Sequence, residues 1–492
     1  MIEEDAASLP LAAPGIASDT PRSALGPAEL RRIRITALIV ACALFMQNLD
    51  STVIATALPS MARAFGADPV QMNVALTAYL LSLAVFIPAS GWLADRFGAR
   101  PVFRLAIGVF TLGSVLCGLA QSLPELVLFR VVQGLGGAMM VPVGRLLLLR
   151  NLPKSELVAA MAWLSTPALI GPVVGPPLGG FITTYFSWRL IFDINIPIGV
   201  AGILLVTVIV DDMREPTESR FDWTGFAISG MALSGLMFGF ETAGRGVLPI
   251  AISLAALGIG TIGALCYGAH ALRHPAPLID FTLLRYRTFL VAVVAGTLFR
   301  VGIGAMPFLM PMMLQLAFGR SPLQSGIITL ASSVGAVVMK PVSMTALRRF
   351  GFRDTLLFNG MLSAALLGLC SAFRPAWPVA AIYLVLLAGG FLRSLQFTAY
   401  NALAYGEIPP DRMSAATSLY STIQQLSMSL GVTISAAALT VAMRFGNHAE
   451  PGLADFSLGF LVVALFSFSA APFSLMMPRD AASDVTGHRV RG

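Results

Sequence analysis

Long apolar stretches constrain this chain more than any other feature of its sequence. About 20 consecutive apolar residues cross the hydrocarbon of a bilayer as a helix, so a run of about 18 with few charges is a candidate span. Fourteen such runs follow one another along the 492 residues. They cover 34–58, 71–94, 101–121, 123–149, 156–182, 188–211, 224–242, 247–270, 287–316, 322–347, 354–373, 377–405, 411–443 and 454–477.

Composition supports the same interpretation. Soluble domains carry about 25% charged residues, whereas this chain has 12% charged and 56% hydrophobic residues. The sequence therefore excludes a large soluble α/β protein and predicts an all-α integral membrane protein.

The distribution of basic residues predicts the orientation. An even number of spans places both termini on one side, where the loops carry about 21 Lys and Arg residues, against about 6 on the other side. Loops rich in these residues stay in the cytoplasm. We therefore predict cytoplasmic termini in the inner membrane of a bacterial cell. The net charge of +7 then reflects orientation and implies no nucleic-acid partner.

The terminal tail and the cysteines carry no sign of secretion or cross-linking. Residues 1–33 are acidic and rich in proline, and they lack the features of a cleaved signal, so we predict a disordered cytoplasmic tail. The four cysteines lie in different predicted spans, where we expect small apolar core residues and no disulfide. They are Cys42, Cys117, Cys266 and Cys370.

The sequence argues against a pump driven by ATP and against an enzyme. Neither Lys154 nor Lys340, the only two lysines, lies in a phosphate-binding G-x-x-x-x-G-K-[ST] motif. The histidines fall in predicted loops or the tail and form no known metal-binding pattern, so we expect no metal, cofactor or nucleotide. They are His270, His274, His448 and His488. A secondary transporter is the leading class, with a channel or a non-transporting sensor or scaffold as alternatives.

Two loops of the chain repeat one pattern. Arg-Phe-Gly-x-Arg occurs at Arg96–Arg100, within GWLADRFGARPVFR, and again 253 residues later at Arg349–Arg353, within SMTALRRFGFRDTL. This spacing predicts two six-helix halves with two helices inserted, and such parallel repeats are typical of transporters. The copies differ at one position, where Asp95 is replaced by Arg348.

Six motifs are spread along the chain. They are LDSTVIATALP (Leu49–Pro59), GWLADRFGARP, LFRVVQGLGGA (Leu128–Ala138), GPVVGPPLGG (Gly171–Gly180), SWRLIFDINIPIG (Ser187–Gly199) and FDWTG (Phe221–Gly225). Together they resemble the major facilitator superfamily, specifically its fourteen-helix drug:proton antiporter branch, over nearly the whole chain. The longer strings TALPSMA, PASGWLADRFG, GGAMMVPVGRL and LSMSLGVTI are similar to multidrug transporters of that branch.

The resemblance implies the major facilitator fold, in which two six-helix bundles flank two extra central transmembrane helices. The expected parts are a tail (1–33), an N-terminal bundle (34–211), a linker with two additional helices (212–275), a C-terminal bundle (276–478) and a cytoplasmic tail (479–492).

The resemblance also assigns roles to two motifs. It implies a cytoplasmic latch between helices formed by Gly91, Asp95, Arg96, Gly98 and Arg100, although an ordinary positive loop is the alternative. The fifth-span motif places glycines every four residues on one helix face, which lets a neighbouring backbone approach closely. It consists of Gly171, Pro172, Gly175, Pro176, Gly179 and Gly180. A packing seam with a kink explains it; a seam between the two halves near the outer side is the functional alternative.

Five charged residues lie within apolar runs, where a charge is costly and usually faces a partner or a water-filled cavity. They are Asp50, Arg130, Arg300, Arg393 and Lys340. The first four lie on helices that line the central cavity in the resembled fold. A buried structural ion pair explains any one of them, but three arginines cannot all pair with one aspartate.

Helical spacing groups these charges with polar and aromatic neighbours. The three faces are Gln47, Asp50 and Ser51; Arg130, Gln133, Gly134 and Gly137; and Arg393, Gln396, Phe397 and Tyr400. We expect these faces, with Arg300, to bind an amphipathic ligand. By contrast, Asp193 beside Arg189 is expected to be structural, and Glu241 near Arg245 is expected to be solvated.

The sequence therefore predicts a proton-coupled antiporter that exports small amphipathic compounds by alternating access, with Asp50 as proton carrier and Arg130 as its switch partner. Its expected partners are a small-molecule substrate, protons and the lipid bilayer, and we expect a monomer. Because arginine suits carboxylate and phosphate groups, an organic anion or a metal–carboxylate metabolite is the alternative cargo.

Overall fold

Apolar segments become helices in lipid because each backbone N–H and C=O must find a partner within the segment. The computed structural model describes residues 27–66, 72–149, 157–210, 220–245, 248–447, 451–478 and 481–486, and within them the secondary structure is helical, with no strand. The predicted all-α class is confirmed.

Within residues 27–66, 72–149, 157–210, 220–245 and 248–271, the first bundle and the two helices after it comprise ten α-helices. They are α1 (Pro27–Phe65), α2 (Asn73–Phe86), α3 (Ala89–Phe97), α4 (Ala99–Leu119), α5 (Leu123–Leu149), α6 (Leu157–Tyr185), α7 (Leu190–Asp193), α8 (Asn195–Ile209), α9 (Trp223–Arg245) and α10 (Ile250–Ala271).

Over the described residues from 287 onward, the second bundle contains seven longer α-helices and one short terminal helix. They are α11 (Arg287–Met312), α12 (Pro322–Val338), α13 (Lys340–Asp354), α14 (Gly360–Leu369), α15 (Val379–Gly406), α16 (Met413–Gly446), α17 (Leu453–Ser469) and α18 (Ser483–Thr486). Short 3₁₀ or π turns occupy Phe281–Arg285, Met313–Ala317, Thr355–Asn359, Cys370–Ala372, Pro410–Arg412 and Ala471–Met476.

Each of the fourteen predicted runs falls on helical structure. Among the described residues, eleven helical segments are long and apolar enough to span a membrane, or twelve if α2 and α3, which meet at a bend of 57°, form one span. The chain is thus a multi-pass membrane protein, and the count of fourteen spans stays a prediction.

Helices α1 to α8 pack on one another, as do α11 to α17. Small residues let some of these helices touch closely: a Cβ atom added to Gly390 of α15 would lie 1.8 Å from the carbonyl oxygen of Ser332 in α12. Such contacts replace side-chain interdigitation with backbone packing, as is common between helices in membranes.

Helix α9 touches both bundles, because it packs against α2 and α16. The Thr433 hydroxyl of α16 donates to the carbonyl of Phe240 at 2.7 Å, and the Phe226 ring of α9 lies 5.8 Å from that of Phe86 in α2. Helix α10 packs along α9. The inserted pair therefore lies beside the junction of the two bundles.

The two repeated loops have the same backbone geometry. Gly98 turns the chain between α3 and α4 with φ of 91°, and Gly351 breaks α13 with φ of 70°. Residues other than glycine rarely adopt such positive values. The Arg-Phe-Gly-x-Arg repeat is therefore a repeat of structure.

The structure corrects three expectations. Helix α1 begins at Pro27, so residues 27–33 of the predicted disordered tail are helical. Cys42 and Cys266 are exposed on their helices and are not core residues. His270 lies in the last turn of α10 and not in a loop.

Candidate functional site

A buried ion pair lies inside the first bundle. Arg130 Nη1 of α5 lies 2.6 Å from Asp50 Oδ2 of α1, and neither side chain is exposed. Gln133 Nε2 donates to Asp50 Oδ1 at 3.0 Å and its oxygen accepts from Arg130 at 2.7 Å. Asn195 of α8 donates to Asp50 Oδ1 at 3.1 Å and to Ser114 Oγ at 2.8 Å. Four helices thus position one carboxylate.

Aromatic rings enclose the Arg130 guanidinium. Its carbon lies 5.4 Å from the centre of the Tyr79 ring and 5.0 Å from that of Phe192, distances at which a cation interacts favourably with a ring face. Within the described part of the chain, Arg130 Nε and Nη2 have no hydrogen-bond partner, and neither has the oxygen of the half-buried Gln47. The cation therefore has donors left over once Asp50 is bound.

The sequence indicated Asp50, Arg130 and Gln133, and the structure brings them together within the bundle. Asn195 and Phe192 were missed, although both lie in the SWRLIFDINIPIG motif. Asparagine carries no charge, so a search for charged residues within apolar runs does not find it. The sequence also does not distinguish an asparagine that bonds a carboxylate from one that caps a helix.

The loop motif joins the two bundles. The Ser414 hydroxyl at the start of α16 donates to the Asp95 carboxylate and lies 3.3 Å from the Gly91 carbonyl. A Cβ atom on Gly91 would lie 3.0 Å from the Ser414 carbonyl oxygen. Ser418, one turn further on, donates to the Pro88 carbonyl at 3.0 Å. Helix α3 is thus bound to α16 on the predicted cytoplasmic side.

Arg145 makes a second connection between the bundles, and the sequence analysis missed it. Its guanidinium donates from α5 to Gln424 at 2.9 Å and to Ser421 at 3.4 Å, both on α16. Arg145 is buried but lies only four residues from the end of α5. At that position it resembles the positive residues that flank spans.

The rest of the loop motif anchors neighbouring elements. Arg100 donates to the Thr207 carbonyl of α8, which fixes α4 to the end of the first bundle. Arg412, just before α16, pairs with Asp280 and bonds Thr282. Burial alone would raise the pKa of Asp280, but the Thr282 and Arg412 hydrogen bonds outweigh it and lower that pKa below its usual range.

A second group of cations lies in and beside the other bundle. Arg300 of α11 donates to the Tyr420 hydroxyl of α16, and its guanidinium lies 4.7 Å from the centre of that ring. Arg145 lies 5.8 Å from the same ring. Arg300 Nη1 and Arg145 Nε have no hydrogen-bond partner among the described residues. Two arginines, one from each bundle, therefore flank one tyrosine.

The side chains predicted to share one face of α15 bond to different neighbouring segments. Arg393 donates to Ser332 of α12 at 2.6 Å. Gln396 is fully buried, accepts from Asn359 at 2.8 Å and donates to the Leu356 carbonyl at 3.0 Å. Both of its polar groups are therefore used within the second bundle, which argues against the predicted ligand contact.

The remaining candidates of the second bundle each contact neighbouring helices or the core. The Tyr400 ring lies 5.7 Å from that of Phe299 on α11, and Phe397 is half-buried against the core. Lys340 donates to Thr398 at 3.0 Å. Each of the two cations on α13 and α15 thus bonds a neighbouring hydroxyl.

The glycine face of α6 packs within the first bundle. Cβ atoms on Gly171 and Gly175 would lie 2.9 Å from Asn48 Cβ and 2.1 Å from Thr52 Oγ1, both on α1, and Gly179 is buried. The glycine face is a contact of α6 with α1, because missing side chains let these helices approach, and α6 also packs against α12, α13 and α15 of the second bundle. The functional seam between the halves stays a prediction. Gly180 faces open space.

Helix α6 continues through its prolines without a break, although the side chains of Pro172 and Pro176 lie outside those described. The side chains of Glu241 and Arg245 also lie outside those described. Arg189 donates to the Ala120 carbonyl at 3.1 Å.

Comparisons with known proteins agree with this architecture. The family model described as Major Facilitator Superfamily matches residues 40–432. Two relatives are named "Putative multidrug resistance protein MdtD". That of Pectobacterium atrosepticum is 37% identical over 444 residues, or 89% of this chain and 93% of its own length. That of Serratia proteamaculans is 40% identical over 405 residues, which cover 81% of this chain and 83% of its own length.

A solved structure shares the fold. The human organic anion transporter MFSD10 matches with a TM-score of 0.65 over 91% of this chain and 100% of its own, at 14% identity. At this identity the likeness shows the fold alone.

The ion pair predicts a strong coupling between its members. Asp50→Asn leaves Arg130 charged and buried without its counter-ion, so we expect the free energy of unfolding to fall by about 3–5 kcal/mol. Adding Arg130→Met removes the uncompensated charge and should recover part of that loss. Unfolding of the purified protein in detergent is measured for the wild type, Asp50→Asn, Arg130→Met and the double variant. Additive single effects would contradict the coupling.

Proposed function

The chain belongs to the major facilitator superfamily, and we propose that it exports small amphipathic compounds in exchange for protons by alternating access. The buried Asp50–Arg130 pair carries this proposal, because charges inside membranes are costly and mark proton or substrate pathways. The name of the two relatives, a multidrug resistance protein, supports drug-like cargo. We also propose that the protein lies in the inner membrane of a bacterial cell, with both termini in the cytoplasm, and that it acts as a monomer.

Asp50 is the proposed proton carrier. While it is ionised, it holds Arg130 at 2.6 Å. A proton on the carboxylate removes this attraction, and Arg130 keeps the Gln133 oxygen and the faces of Tyr79 and Phe192. Since Asp50 is on α1 and Arg130 on α5, protonation frees these helices to shift. Proton binding thereby favours one arrangement of the bundle over the other.

The latch supplies the second part of the cycle. Ser414 with Asp95, and Arg145 with Gln424, hold α16 against the first bundle on the predicted cytoplasmic side. An exporter must open this side to load its cargo. These bonds between the bundles therefore break and re-form in every cycle, in addition to the Asp50–Arg130 bond within the first bundle.

A second candidate cargo, an organic anion, is favoured by the two arginines that flank Tyr420. Buried donors are normally satisfied, yet Arg300 Nη1 and Arg145 Nε have no partner among the described residues. A carboxylate offers several acceptor sites to such groups. Separation of α5 from α16 would expose both guanidinium groups to an anionic cargo at the loading side.

Proton coupling is tested with Asp50→Asn in proteoliposomes. We expect loss of transport driven by a pH gradient, with substrate exchange at equal pH retained, because only the proton step needs an ionisable group. Asp50→Glu should keep part of the coupling. Full gradient-driven transport by Asp50→Asn would disprove the assignment. If the wild type shows no flux at all, a sensor or scaffold is favoured. If it passes substrate but never accumulates it against a gradient, a channel is favoured.

The latch predicts a slower cycle with intact binding. Charge-assisted hydrogen bonds contribute about 1.5–3 kcal/mol, so Asp95→Asn and Ser414→Ala should each reduce the transport rate by about tenfold or more. Substrate affinity and membrane insertion should stay unchanged. Asp354→Asn, a carboxylate near the second loop, is the control. Lower expression with unchanged activity per molecule would show that the latch acts only in folding.

The cargo class is tested with compounds matched for size and lipophilicity but differing in charge. If the arginines bind cargo, carboxylates should compete best, and Arg300→Ala and Arg145→Ala should each weaken their binding by about tenfold, or 1.4 kcal/mol. Neutral compounds should be unaffected. Stronger competition by quaternary ammonium dyes, with affinities unchanged in Arg300→Ala, would instead support export of cationic drugs.

A further inference from the structure

Three side chains of the kinds that can ligate a metal meet at the predicted cytoplasmic ends of the two inserted helices. Asp222 precedes α9, His270 lies in the last turn of α10, and His274 follows four residues later. Their potential ligand atoms all lie within 4.8 Å of one another. This cluster belongs neither to the Asp50–Arg130 pair nor to the latch.

The geometry suits a metal ion. His270 Nε2 lies 2.9 Å from Asp222 Oδ2 and 3.0 Å from Oδ1. Two ligands bound to zinc at about 2.0–2.2 Å in a tetrahedron lie about 3.3 Å apart. The rings of His270 and His274 are stacked with centroids 5.1 Å apart, so a small shift brings both nitrogens to one ion.

The ligands are also held in place by their neighbours, as metal ligands usually are. Asp222 is buried, and its Oδ1 accepts from the Gly225 N–H at 2.7 Å, which leaves Oδ2 for a metal. His274 Nδ1 accepts from the Ala276 N–H at 3.2 Å, which leaves Nε2 as its free ligand atom. His270 lies beside Tyr267, with ring centroids 6.1 Å apart.

We propose that Asp222, His270 and His274 bind a divalent transition-metal ion of the zinc type, with water completing its coordination. Two imidazoles and one carboxylate match the donors that such ions prefer over calcium or magnesium. The expectation of no metal site missed this cluster because Asp222 lies 48 residues before His270 and no short motif joins them.

The bound ion fixes the inserted helices next to the latch. It joins the start of α9 to the end of α10. Phe221, adjacent to Asp222, packs on Trp92 of the loop motif with ring centroids 4.9 Å apart. The metal therefore stiffens the support of α3, the helix that carries Asp95.

The competing explanation is a plain hydrogen bond between His270 and Asp222 that closes the helix ends. The two explanations differ at His274. The metal site requires this residue as a ligand, whereas the hydrogen bond between His270 and Asp222 does not involve it. His274→Ala is therefore the decisive variant, with His274→Gln in reserve if the alanine variant does not fold. His448→Ala removes a histidine from a different predicted loop and is the matched control.

The experiment uses the full-length protein, purified in detergent and stripped of metal, titrated with Zn²⁺ against a fluorescent chelator. We expect one zinc per chain with micromolar affinity or tighter for the wild type and His448→Ala. Loss of outer-shell partners alone weakens metal sites by about 10–100-fold, so His274→Ala should weaken binding by at least about tenfold. Asp222→Asn, which retains the bond to Gly225, should do the same.

Thermal unfolding supplies an independent readout, because a ligand that binds only the folded state raises its stability. Zinc should raise the melting temperature of the wild type and not that of His274→Ala, while the two metal-free proteins unfold together. Equal zinc affinity and stoichiometry in the wild type and His274→Ala, or no binding by the wild type at micromolar zinc, would overturn the proposal.

Discussion

The attraction between Arg130 and Asp50 organises the first bundle, because neither charge tolerates the hydrocarbon without the other. The pair sets the positions of α1 and α5 directly at 2.6 Å. Through Asn195 and Ser114 it also involves α8 and α4. A buried pair of this kind contributes little net stability, since desolvation offsets most of the attraction. What it provides is a single arrangement of four helices, and in the proposed function this arrangement changes when one proton is added.

The two bundles share a fold and differ in charge. Gly98 and Gly351 turn the chain in the same way, yet Asp95 of the first loop corresponds to Arg348 of the second. In the first bundle a carboxylate balances the buried arginine. In the second, Arg300 bonds the hydroxyl and faces the ring of Tyr420, and Arg393 bonds Ser332. The repeat therefore preserves geometry, while one half balances its buried arginine with a carboxylate and the other does not.

Much of the fold is predictable from the sequence because membranes restrict the choice of structure. Apolar runs can only become helices, and a charge within a run, such as Asp50, can only be paired or functional. What the sequence leaves open are contacts between distant segments. Arg145 lies so near the end of its span that it resembles a flanking residue, and its partner Gln424 is 279 residues away. The glycines of α6 indicate a close neighbour but do not identify α1 as that neighbour.

The position of the inserted helices has a consequence for the surroundings of the protein. Helix α9 touches both α2 and α16, whereas α10 packs on α9 and otherwise exposes much of its apolar surface. If the bundles rotate as proposed, α9 has to slide over at least one of them, and α10 moves with it through lipid. The work of such a movement depends on bilayer thickness. Under the proposed alternating access, lipid composition is therefore a variable of the transport rate, which acts on the protein through the two inserted helices.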